Sequence, residues 1–453
     1  MASHGRDTTL VSTQSKKTQR RIIMFPMPYQ GHLTPMLQLA NILHNNGFKI
    51  TFIHAQQNTP THSNYPHITF KSIFDGFSEI GKYMPKEPDA SFIITYLNEN
   101  CRESFTHCLT ELLAEPNEPP VACLITDAEY YFTQEVADSM KVPRIVMWAC
   151  TIASVLVYGD LQFFYEKGYF NFTKQDSEYE RPVPKYPILK VKDIIKIAPN
   201  PKGLGEYLTK VVKQIKASSG IIWNSFVELE EPTLETLNHD FPIPRFGLGP
   251  LQMYFPASPS NAQAPKSVIY LSFGSIARIT KLEFLEVAYG LANIDFPFLW
   301  VVRPGVVKGS EWIEWLPEKF LEEVGDRGRI VKWCPQQEVL AHPSTGCFWT
   351  HSGWNSTLES ICNEVPMICS PCVVGQPIIA RYVNDIWKIG VLLEDGFERV
   401  GIETAVKRIM LNEEGEEIRK RISRVKKEVD VSFDEGGSSH RSLKSLIDYI
   451  SSF

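Results

Sequence analysis

The sequence predicts an α/β protein built from two β/α domains in tandem, with a cleft between them. Near the amino terminus, an apolar strand at 22–26, a helical pattern at 33–45 and a strand at 49–54 form a β-α-β unit typical of parallel sheets. A second alternating run begins with a strand at 268–272. Between the runs, the segment 255–266 is dense in Pro, Ser and Ala, which is typical of a linker. Ligands are expected at the carboxyl ends of the strands.

The remaining elements follow from periodicity and from turn residues. In the first domain, helices are predicted at 92–113, 133–140, 151–165, 204–217 and 226–237, and strands at 120–127, 144–147, 220–224 and 246–251. Residues 169–200 are rich in Pro, Lys and Tyr and are predicted to form loops over the ligand cleft. In the second domain, helices are predicted at 280–291, 378–389, 402–410, 415–431 and 438–452, and strands at 297–302, 330–332 and 348–350.

Composition and charge indicate a globular protein without a nucleic-acid partner. The chain has 453 residues, 43% of them hydrophobic and 22% charged, and a net charge of −6. Its one basic run, at 16–21, is read as part of a disordered tail at 1–20, which lacks the apolar segment of a signal peptide. The longest apolar stretch, 145–158, is too short to span a bilayer. We therefore expect a cytoplasmic protein with no membrane span.

The cysteine pattern favours reduced thiols. There are nine cysteines, an odd number, at irregular spacing. Cys369 and Cys372 have the CxxC spacing, but no second pair accompanies them. Two buried thiols beside Pro371 are therefore preferred over a zinc or redox site.

The stretch from Trp333 to Gln376 predicts a nucleotide site. A buried strand at 348–350 leads into a turn in which Gly353 supplies flexible backbone, and a helix follows with hydroxyl and amide side chains at its start. Free backbone N–H groups and the positive end of a helix dipole favour phosphate at such a junction. Glu359, one turn inside the helix, could accept hydrogen bonds from two ribose hydroxyls, and Trp333 offers a flat face for a base.

His32 and Asp127 are candidates for acid–base chemistry. His32 follows the first strand and Asp127 ends a later strand of the same predicted sheet, so both side chains reach one edge. A histidine whose second ring nitrogen is held by a carboxylate is an oriented general base near neutral pH. Alone, His32 reads as a polar residue at a helix start and Asp127 as a helix cap. Together, in a chain with a separate nucleotide site, the general-base interpretation is preferred.

Each nucleotide-site residue also has a purely structural interpretation. The tryptophans could belong to the core, the histidine could satisfy a turn, the polar residues could cap a helix, and the acid could be a surface charge; this applies to Ser275, Trp333, His351, Trp354, Asn355, Ser356 and Glu359. The clustering of all but Ser275 in one short stretch favours the functional interpretation.

The same stretch resembles the signature of plant family-1 uridine-diphosphate-sugar glycosyltransferases. The match covers W-x-P-Q, L-x-H-P, F-x-x-H-S-G-W-N-S-T-L-E-S, V-P-M and the terminal Gln. It extends along the chain through FPMPYQGHLTPMLQLA, LITDA, WNSFVELE, YLSFGS, FLWVVRP and GGSSHRSL. ILKVKDI and NSFVELEE most resemble the subgroup that includes steviol-glycoside glucosyltransferases.

The resemblance implies the GT-B fold, in which two Rossmann-like domains face each other across a cleft. It implies an acceptor-binding domain at 21–252, a linker at 253–267, a UDP-sugar-binding domain at 268–435, and a helix at 436–453 that packs back on the first domain. It further implies a UDP-sugar and a small lipophilic acceptor as the binding partners, with no cofactor and no metal. We also expect the enzyme to act as a monomer.

Residue roles carry over from the resemblance by position. UDP-sugar contacts are implied for Ser275, Trp333, Cys334, Gln336, His351, Trp354, Asn355, Ser356, Glu359 and Gln376. Acceptor contacts are assigned to Tyr29, Gly31, Tyr130, Met147 and Thr151. His32 would take the proton of the acceptor hydroxyl while Asp127 supports the imidazole, so that an α-linked donor gives a β-glycoside.

Three departures from the family pattern leave alternatives open. Gly375 stands where an Asp or Glu usually contacts sugar hydroxyls, and such a lost hydrogen bond costs about 1–3 kcal/mol. Glu364 replaces the usual Gly before Val-Pro, and the linker is short. Glucose is the expected sugar, but these departures keep open a different UDP-sugar donor, or a relative that binds small molecules without catalysis.

Overall fold

The structure, a computed structural model, describes residues 19–80, 90–199, 201–255 and 266–453. Within these ranges it contains two large parallel sheets with helices packed on them, as the α/β prediction requires. Residues 1–18 of the predicted tail at 1–20 and residues 256–265 of the predicted linker at 253–267 lie outside the described residues.

The strands are short and largely buried. They are β1 Arg21–Phe25, β2 Lys49–Ala55, β3 Thr69–Ile73, β4 Val121–Asp127, β5 Arg144–Trp148, β6 Pro182–Val183, β7 Tyr186–Lys190, β8 Gly220–Trp223, β9 Arg245–Gly247, β10 Val268–Ser272, β11 Phe298–Val301, β12 Gly328–Val331, β13 Thr345–Thr350, β14 Met367–Cys369 and β15 Gly390–Leu392.

The α-helices alternate with the strands along most of the chain. They are α1 Gln30–Asn45, α2 Phe77–Ile80, α3 Ala90–Ala114, α4 Phe132–Met140, α5 Ile152–Gly159, α6 Leu161–Glu166, α7 Val191–Ile197, α8 Pro201–Ala217, α9 Val227–Asp240, α10 Lys281–Ala292, α11 Phe320–Val324, α12 Gln336–Ala341, α13 Trp354–Cys362, α14 Gln376–Arg381, α15 Arg399–Met410, α16 Glu413–Phe433 and α17 Ser438–Ser452.

The first sheet has the strand order β3-β2-β1-β4-β5-β8-β9 and is parallel throughout. All five residues of β1, RIIMF, are buried, as expected for a central strand covered on both faces. β1 pairs with β4 in a register that sets Phe25 opposite Thr126. The carboxyl ends of these two strands therefore meet at one edge of the sheet.

The second sheet has the order β12-β11-β10-β13-β14-β15 and is also parallel. Its central strand β13 is buried at all six positions. Ser272 at the end of β10 lies opposite Thr350 at the end of β13. The turns that follow these two strands are consequently neighbours.

The chain divides into two compact units. The first unit comprises 1–167, 200–255 and 432–453, and the second comprises 168–199 and 256–431. The predicted boundaries of the acceptor-binding domain, 21–252, stay a prediction, but within that range the segment 168–199 belongs to the second compact unit.

Ion pairs explain why that segment belongs to the second unit. Arg381 on α14 is buried and donates to Asp193 of α7, with its Nε 2.8 Å from the Asp193 Oδ2. Lys192 of α7 lies 2.9 Å from Glu394 of the second unit. The predicted loops at 169–200 instead contain the β6–β7 hairpin and α7. Partners so distant in sequence leave no local signal that would have predicted this docking.

Each unit has its own apolar core. In the first, Leu443, Leu446 and Ile450 of α17 pack with buried residues of the β1 sheet and α1. The second core gathers around Leu271 and Trp349 of the central strands. All nine cysteines are free, as predicted. No helix in the described part of the chain is long and apolar enough to cross a bilayer.

Candidate active site

His32 and Asp127 meet at the edge of the first sheet. Asp127 is the last residue of β4, and His32 lies in the first turn of α1, just after β1. The His32 Nδ1 lies 2.7 Å from the Asp127 Oδ2. The Asp127 side chain is 3% exposed and that of His32 is 20% exposed. The contact is therefore sheltered, while part of the imidazole remains accessible.

The orientation of Asp127 fixes the hydrogen on the imidazole. Its Oδ1 accepts from the backbone N–H of Glu129 at 3.0 Å, and its Oδ2 is 3.5 Å from the Met27 nitrogen. Because a carboxylate can only accept, His32 donates to Asp127 through Nδ1–H. The Nε2 is then the ring nitrogen that can exchange a proton with a bound molecule.

Charge around His32 comes from two carboxylates. Burial lowers the pKa of His32, but Asp127 and Glu129 outweigh that effect and raise this pKa to about 9. Burial raises the pKa of Glu129 to about 7, although His32 works in the opposite direction. Loss of charge on either carboxylate would lower the pKa of the imidazole.

The predicted acceptor contacts are only partly accessible. Tyr130 is fully buried and stacks on Phe25 at 4.2 Å, so it serves the core. Met147 on β5 is buried as well. Tyr29 is half-buried and Gly31 is exposed beside His32.

Thr151 is the third buried member of the predicted acceptor set, and it caps α5. It donates to the Glu230 carboxylate at 2.6 Å, while its own oxygen accepts from the Ala153 N–H. Tyr130, Met147 and Thr151 are therefore buried among core residues or at a helix cap, and their assignment as acceptor contacts stays a prediction.

The predicted strand, turn and helix of the nucleotide site are present as β13, residues 351–353 and α13. Gly353 lies in this turn as predicted, but the predicted reason, a flexible backbone, was wrong. The left-handed residue of the turn is Ser352, with a φ of 63°, while Gly353 is extended at a φ of −66°. A Cβ on Gly353 would lie 2.5 Å from the His351 Nε2, so the glycine is required by close approach of the ring. Gly274, in the turn after β10, lies equally close to that ring.

His351 is uncharged at neutral pH. Burial lowers the pKa of His351 to about 4, and the Arg303 charge adds to this effect, while a hydrogen bond with the Ser272 backbone opposes it. Arg303 also holds the neighbouring turn, because its Nε donates to the Gly274 carbonyl at 2.9 Å. The ring therefore offers neutral hydrogen-bonding groups at the edge of the second sheet.

Gln336 and Glu359 form a polar network beside α13. The Gln336 Nε2 donates to the Glu359 Oε2 at 2.7 Å and to the Ser356 Oγ at 3.0 Å. Tyr270 donates to the Gln336 Oε1 at 3.2 Å and is itself 3.5 Å from the Cys334 Sγ. Four of the predicted residues, Cys334, Gln336, Ser356 and Glu359, are thus brought together. Burial raises the pKa of Glu359, while hydrogen bonds from Gln336 and Gln337 act in the opposite direction.

The other predicted residues differ in accessibility. Trp333 is 70% exposed, so its ring face is open to a planar group, and Ser275 is exposed after β10. Asn355 and Ser356 lie inside the first turn of α13, whose cap is Gly353 and not a side chain. Trp354 is mostly buried, with its ring 6.3 Å from that of Trp387.

Gln376, which is predicted to contact the sugar, is held in place by backbone hydrogen bonds. The Gln376 Oε1 accepts from the N–H groups of Cys372 and Val373 at 2.8 and 3.0 Å. The side-chain amide nitrogen of Gln376 is the group left to donate. Gly375 is buried and presents no side chain there. Glu364 adopts a φ of 55°, so it takes the left-handed conformation usual for the glycine it replaces.

Sequence reasoning missed Glu129. It lies two residues beyond Asp127, and one carboxylate oxygen of each acid lies within 4.8 Å of the other and of a His32 ring nitrogen. A second acid immediately after the strand-ending aspartate was the available signal.

Comparison with known proteins gives consistent matches. The family model described as "UDP-glucoronosyl and UDP-glucosyl transferase" matches residues 236–432. UDP-glycosyltransferase 76B1 of Arabidopsis thaliana is 46% identical, covering 97% of this chain and all of the relative. UDP-glycosyltransferase 76G1 of Stevia rebaudiana is 47% identical, covering 96% of this chain and 98% of the relative.

Solved structures agree with these relatives. The crystal structure of UDP-glucose: anthocyanidin 3-O-glucosyltransferase in complex with UDP superposes with a TM-score of 0.82 at 26% identity. The match covers 97% of this chain and 100% of that one. The likeness confirms the predicted GT-B fold.

Proposed function

The chain belongs to the plant UDP-glycosyltransferase family, whose members move a sugar from a UDP-sugar to a small molecule, and we propose that its sugar is glucose. The acceptor in this proposal is a hydroxyl or carboxyl of a small lipophilic plant metabolite such as a terpenoid or phenolic. Transfer inverts the anomeric carbon, with His32 as general base and Asp127 as its support. The contact between His32 Nδ1 and Asp127 Oδ2 at 2.7 Å is the observation that carries this proposal.

In this proposal, that contact determines the path of the proton. The acceptor hydroxyl donates its proton to the His32 Nε2 while its oxygen attacks the anomeric carbon of the sugar. The bond from that carbon to the diphosphate breaks, and UDP leaves with the electron pair. Asp127 stabilises the imidazolium that forms, since it accepts from Nδ1–H throughout. The α-linked donor thereby gives a β-glycoside.

The second unit supplies the donor site in this proposal. Trp333 stacks on uracil, Glu359 accepts from the ribose hydroxyls, and Gln376 donates to the sugar. The turn that contains His351 and the start of α13 present neutral donors and backbone N–H groups to the diphosphate. These groups replace the metal that other transferases use to stabilise the leaving group.

Metal independence is part of the proposal and is directly testable. His32, Asp127 and Glu129 offer atoms within 4.8 Å of one another, a spacing that could also hold a metal ion. We assign the cluster to proton transfer, so transfer should continue at an unchanged rate in excess EDTA. A rate that falls with EDTA and returns with Mg²⁺, Mn²⁺ or Zn²⁺ would contradict the assignment. A cytoplasmic monomer remains our prediction, to be checked by fractionation and sedimentation.

Gly375 favours a second candidate with the same mechanism. No carboxylate stands before Gln376, and the Gln376 carbonyl is already occupied by backbone donors. The missing acid would weaken the binding of glucose more than that of a pentose, or of a hexose that differs at the hydroxyls such an acid would bind.

A donor panel separates these possibilities. Purified protein is incubated with UDP-glucose, UDP-galactose or UDP-xylose and a plant metabolite extract, and products are identified by mass. A hexose gained from UDP-glucose and lost in His32→Gln supports the main proposal, whereas a pentose from UDP-xylose supports the second. If no donor gives a product or is hydrolysed, the chain is a non-catalytic relative and the proposal is wrong.

A further inference from the structure

Glu129 places a second carboxylate beside His32, in addition to Asp127. Its backbone is fixed by three hydrogen bonds: the N–H donates to the Asp127 Oδ1 at 3.0 Å, and the carbonyl accepts from the Asn98 side chain at 3.0 Å and from the Tyr207 hydroxyl at 3.3 Å. The position of this residue is therefore set by α3, α8 and the end of β4, and its side chain cannot drift far from His32.

One oxygen of the Glu129 side chain, in contrast, lacks a partner. Its Oε2 is buried and has no hydrogen-bond partner among the described residues, and within those residues Glu129 forms no ion pair with Lys or Arg. Burying an unpaired carboxylate oxygen is costly, and native proteins rarely leave one in place without a use. A bound molecule with a donor group would satisfy it.

The geometry limits where that donor group must be. One oxygen of Glu129 lies within 4.8 Å of a His32 ring nitrogen. A reacting hydroxyl within about 2.6–3.2 Å of the imidazole, the reach of a general base, brings the adjacent carbon of the acceptor into the neighbourhood of Glu129. A hydroxyl or amino group on that carbon is then the donor best placed to reach the carboxylate.

Neutral and negative groups dominate the surroundings of Glu129. The titratable groups that interact with it are His32 and Tyr29 beside α1, Asp127 on β4, Cys150 and Tyr158 around α5, and Tyr207 on α8. Arg144 donates through its Nε to Thr126 and through its Nη1 to Gln134, and within the described residues it forms no ion pair with Glu129. Apart from His32, none of these groups supplies a cation to the free oxygen.

We infer that Glu129 is a specificity-determining residue that accepts a hydrogen bond from a second donor group on the acceptor, next to the hydroxyl that reacts. The favoured acceptors are therefore catechols, vicinal diols and amino alcohols. An acceptor with an apolar neighbour at this position leaves the carboxylate unpaired and is discriminated against. This inference rests on the proposed transfer reaction.

The charge of Glu129 adds a second, independent signature. Its negative charge stabilises the His32 imidazolium, so replacing it with a neutral side chain lowers the pKa of His32. The unprotonated base then exists at lower pH. The acidic limb of the pH–kcat/KM profile should move to lower pH in Glu129→Gln, which a purely structural role would not cause.

The test uses the full-length protein, the donor that gives transfer, and two matched acceptors, catechol and phenol, together with the metabolite extract. We expect the wild type to prefer catechol by about 10–100-fold in kcat/KM. Glu129→Leu should lose most of this preference, and its products from the extract should shift toward acceptors without a neighbouring donor. Exposed Glu135→Gln on α4 is the control and should behave as wild type.

Each outcome is decisive. An unchanged catechol preference and product distribution in Glu129→Leu, with an unmoved acidic limb in Glu129→Gln, overturns the inference and leaves the transfer reaction standing. A wild type with no preference for catechol overturns it as well. Absence of transfer from every donor overturns the proposed function itself, and the inference with it. Thermal unfolding and UDP binding by calorimetry show whether Glu129→Leu is folded.

Discussion

His32 and His351 occupy similar places in two separate parallel sheets. His32 lies just beyond β1, and His351 directly follows β13, each beside the carboxyl end of a central strand. Around His32 two carboxylates raise the pKa to about 9, whereas burial and Arg303 lower the pKa of His351 to about 4. One imidazole is therefore suited to hold a proton and the other to stay neutral. The same side chain is assigned to different chemistry by its neighbours alone.

Disrupting the surroundings of His32 should have the largest effect, and that effect should be on the rate of transfer. Asp127→Asn removes the carboxylate that fixes the His32 tautomer, and we expect kcat to fall by about 10²–10⁴-fold. UDP binding, measured by calorimetry, should be unchanged because the residues proposed to bind UDP lie in the second unit. A variant that loses UDP binding together with transfer would mean that Asp127 supports the fold and not the base.

The two histidines should also affect stability on opposite sides of neutrality. The lowered pKa of His351 stabilises the fold above pH 6.5, and that contribution is lost as pH falls toward 4. The raised pKa of His32 stabilises the fold below pH 6.5, and that contribution is lost as pH rises through 9. Each contribution is about 3 kcal/mol at most.

Denaturant unfolding between pH 4.5 and 9.5 checks this linkage. His351→Asn should flatten the acidic side of the stability curve, and His32→Asn should flatten the alkaline side. Each variant is the control for the other. Parallel curves for both variants would show that neither environment shifts its histidine as described.

Steric contact around His351 gives a smaller expected effect. Gly353→Ala places a Cβ 2.5 Å from the His351 Nε2, which forces the ring to move at a cost of about 1–3 kcal/mol. We expect UDP binding to weaken by about tenfold or more, measured by calorimetry. Gly401→Ala on α15, where nothing lies within 4 Å of the added Cβ, is the control and should bind UDP as wild type does. Unchanged UDP binding in Gly353→Ala would show that UDP binding does not depend on the position of the His351 ring.

The ends of α1, which contains His32, and of α13, which follows His351, give the smallest expected effects, and these effects have opposite signs. After α1, the left-handed position is Gly47 with a φ of 93°, whereas after α13 it is the exposed Glu364 with a φ of 55°. Gly47→Ala should lower the free energy of unfolding by about 1 kcal/mol, and Glu364→Gly should raise it by up to the same amount. Thermal melts of both variants test this, and changes of equal sign would contradict it.

The sequence predicted what depends on local pattern and left out what depends on distant partners. Strands such as β10 at Val268–Ser272 and the helix α17 at Ser438–Ser452 were placed correctly, because apolar periodicity and flanking glycines define them. The ends of β1 and β4 likewise followed from parallel topology, which explains why His32 and Asp127 could be paired in advance.

Other features depended on contacts that sequence does not show. The docking of α7 through Arg381 joins residues 188 positions apart. Tyr130 has the composition of a pocket residue, but its stacking on Phe25 places it in the core. For Glu129 the sequence offered only a second acid two residues after Asp127, whereas its unpaired oxygen and its closeness to the imidazole are seen only in the structure.

The interleaved path of the chain affects how the protein must be made. The chain passes between the units after residues 167, 199, 255 and 431, so neither unit is a contiguous fragment. During synthesis, the unit that emerges first is completed last, because Leu443, Leu446 and Ile450 of its core are translated after the whole of the second unit. A nascent chain therefore carries an unfinished apolar surface on its amino-terminal portion until residues 432–453 have left the ribosome. A premature stop or a carboxyl-terminal deletion would damage the unit that holds His32, hundreds of residues upstream.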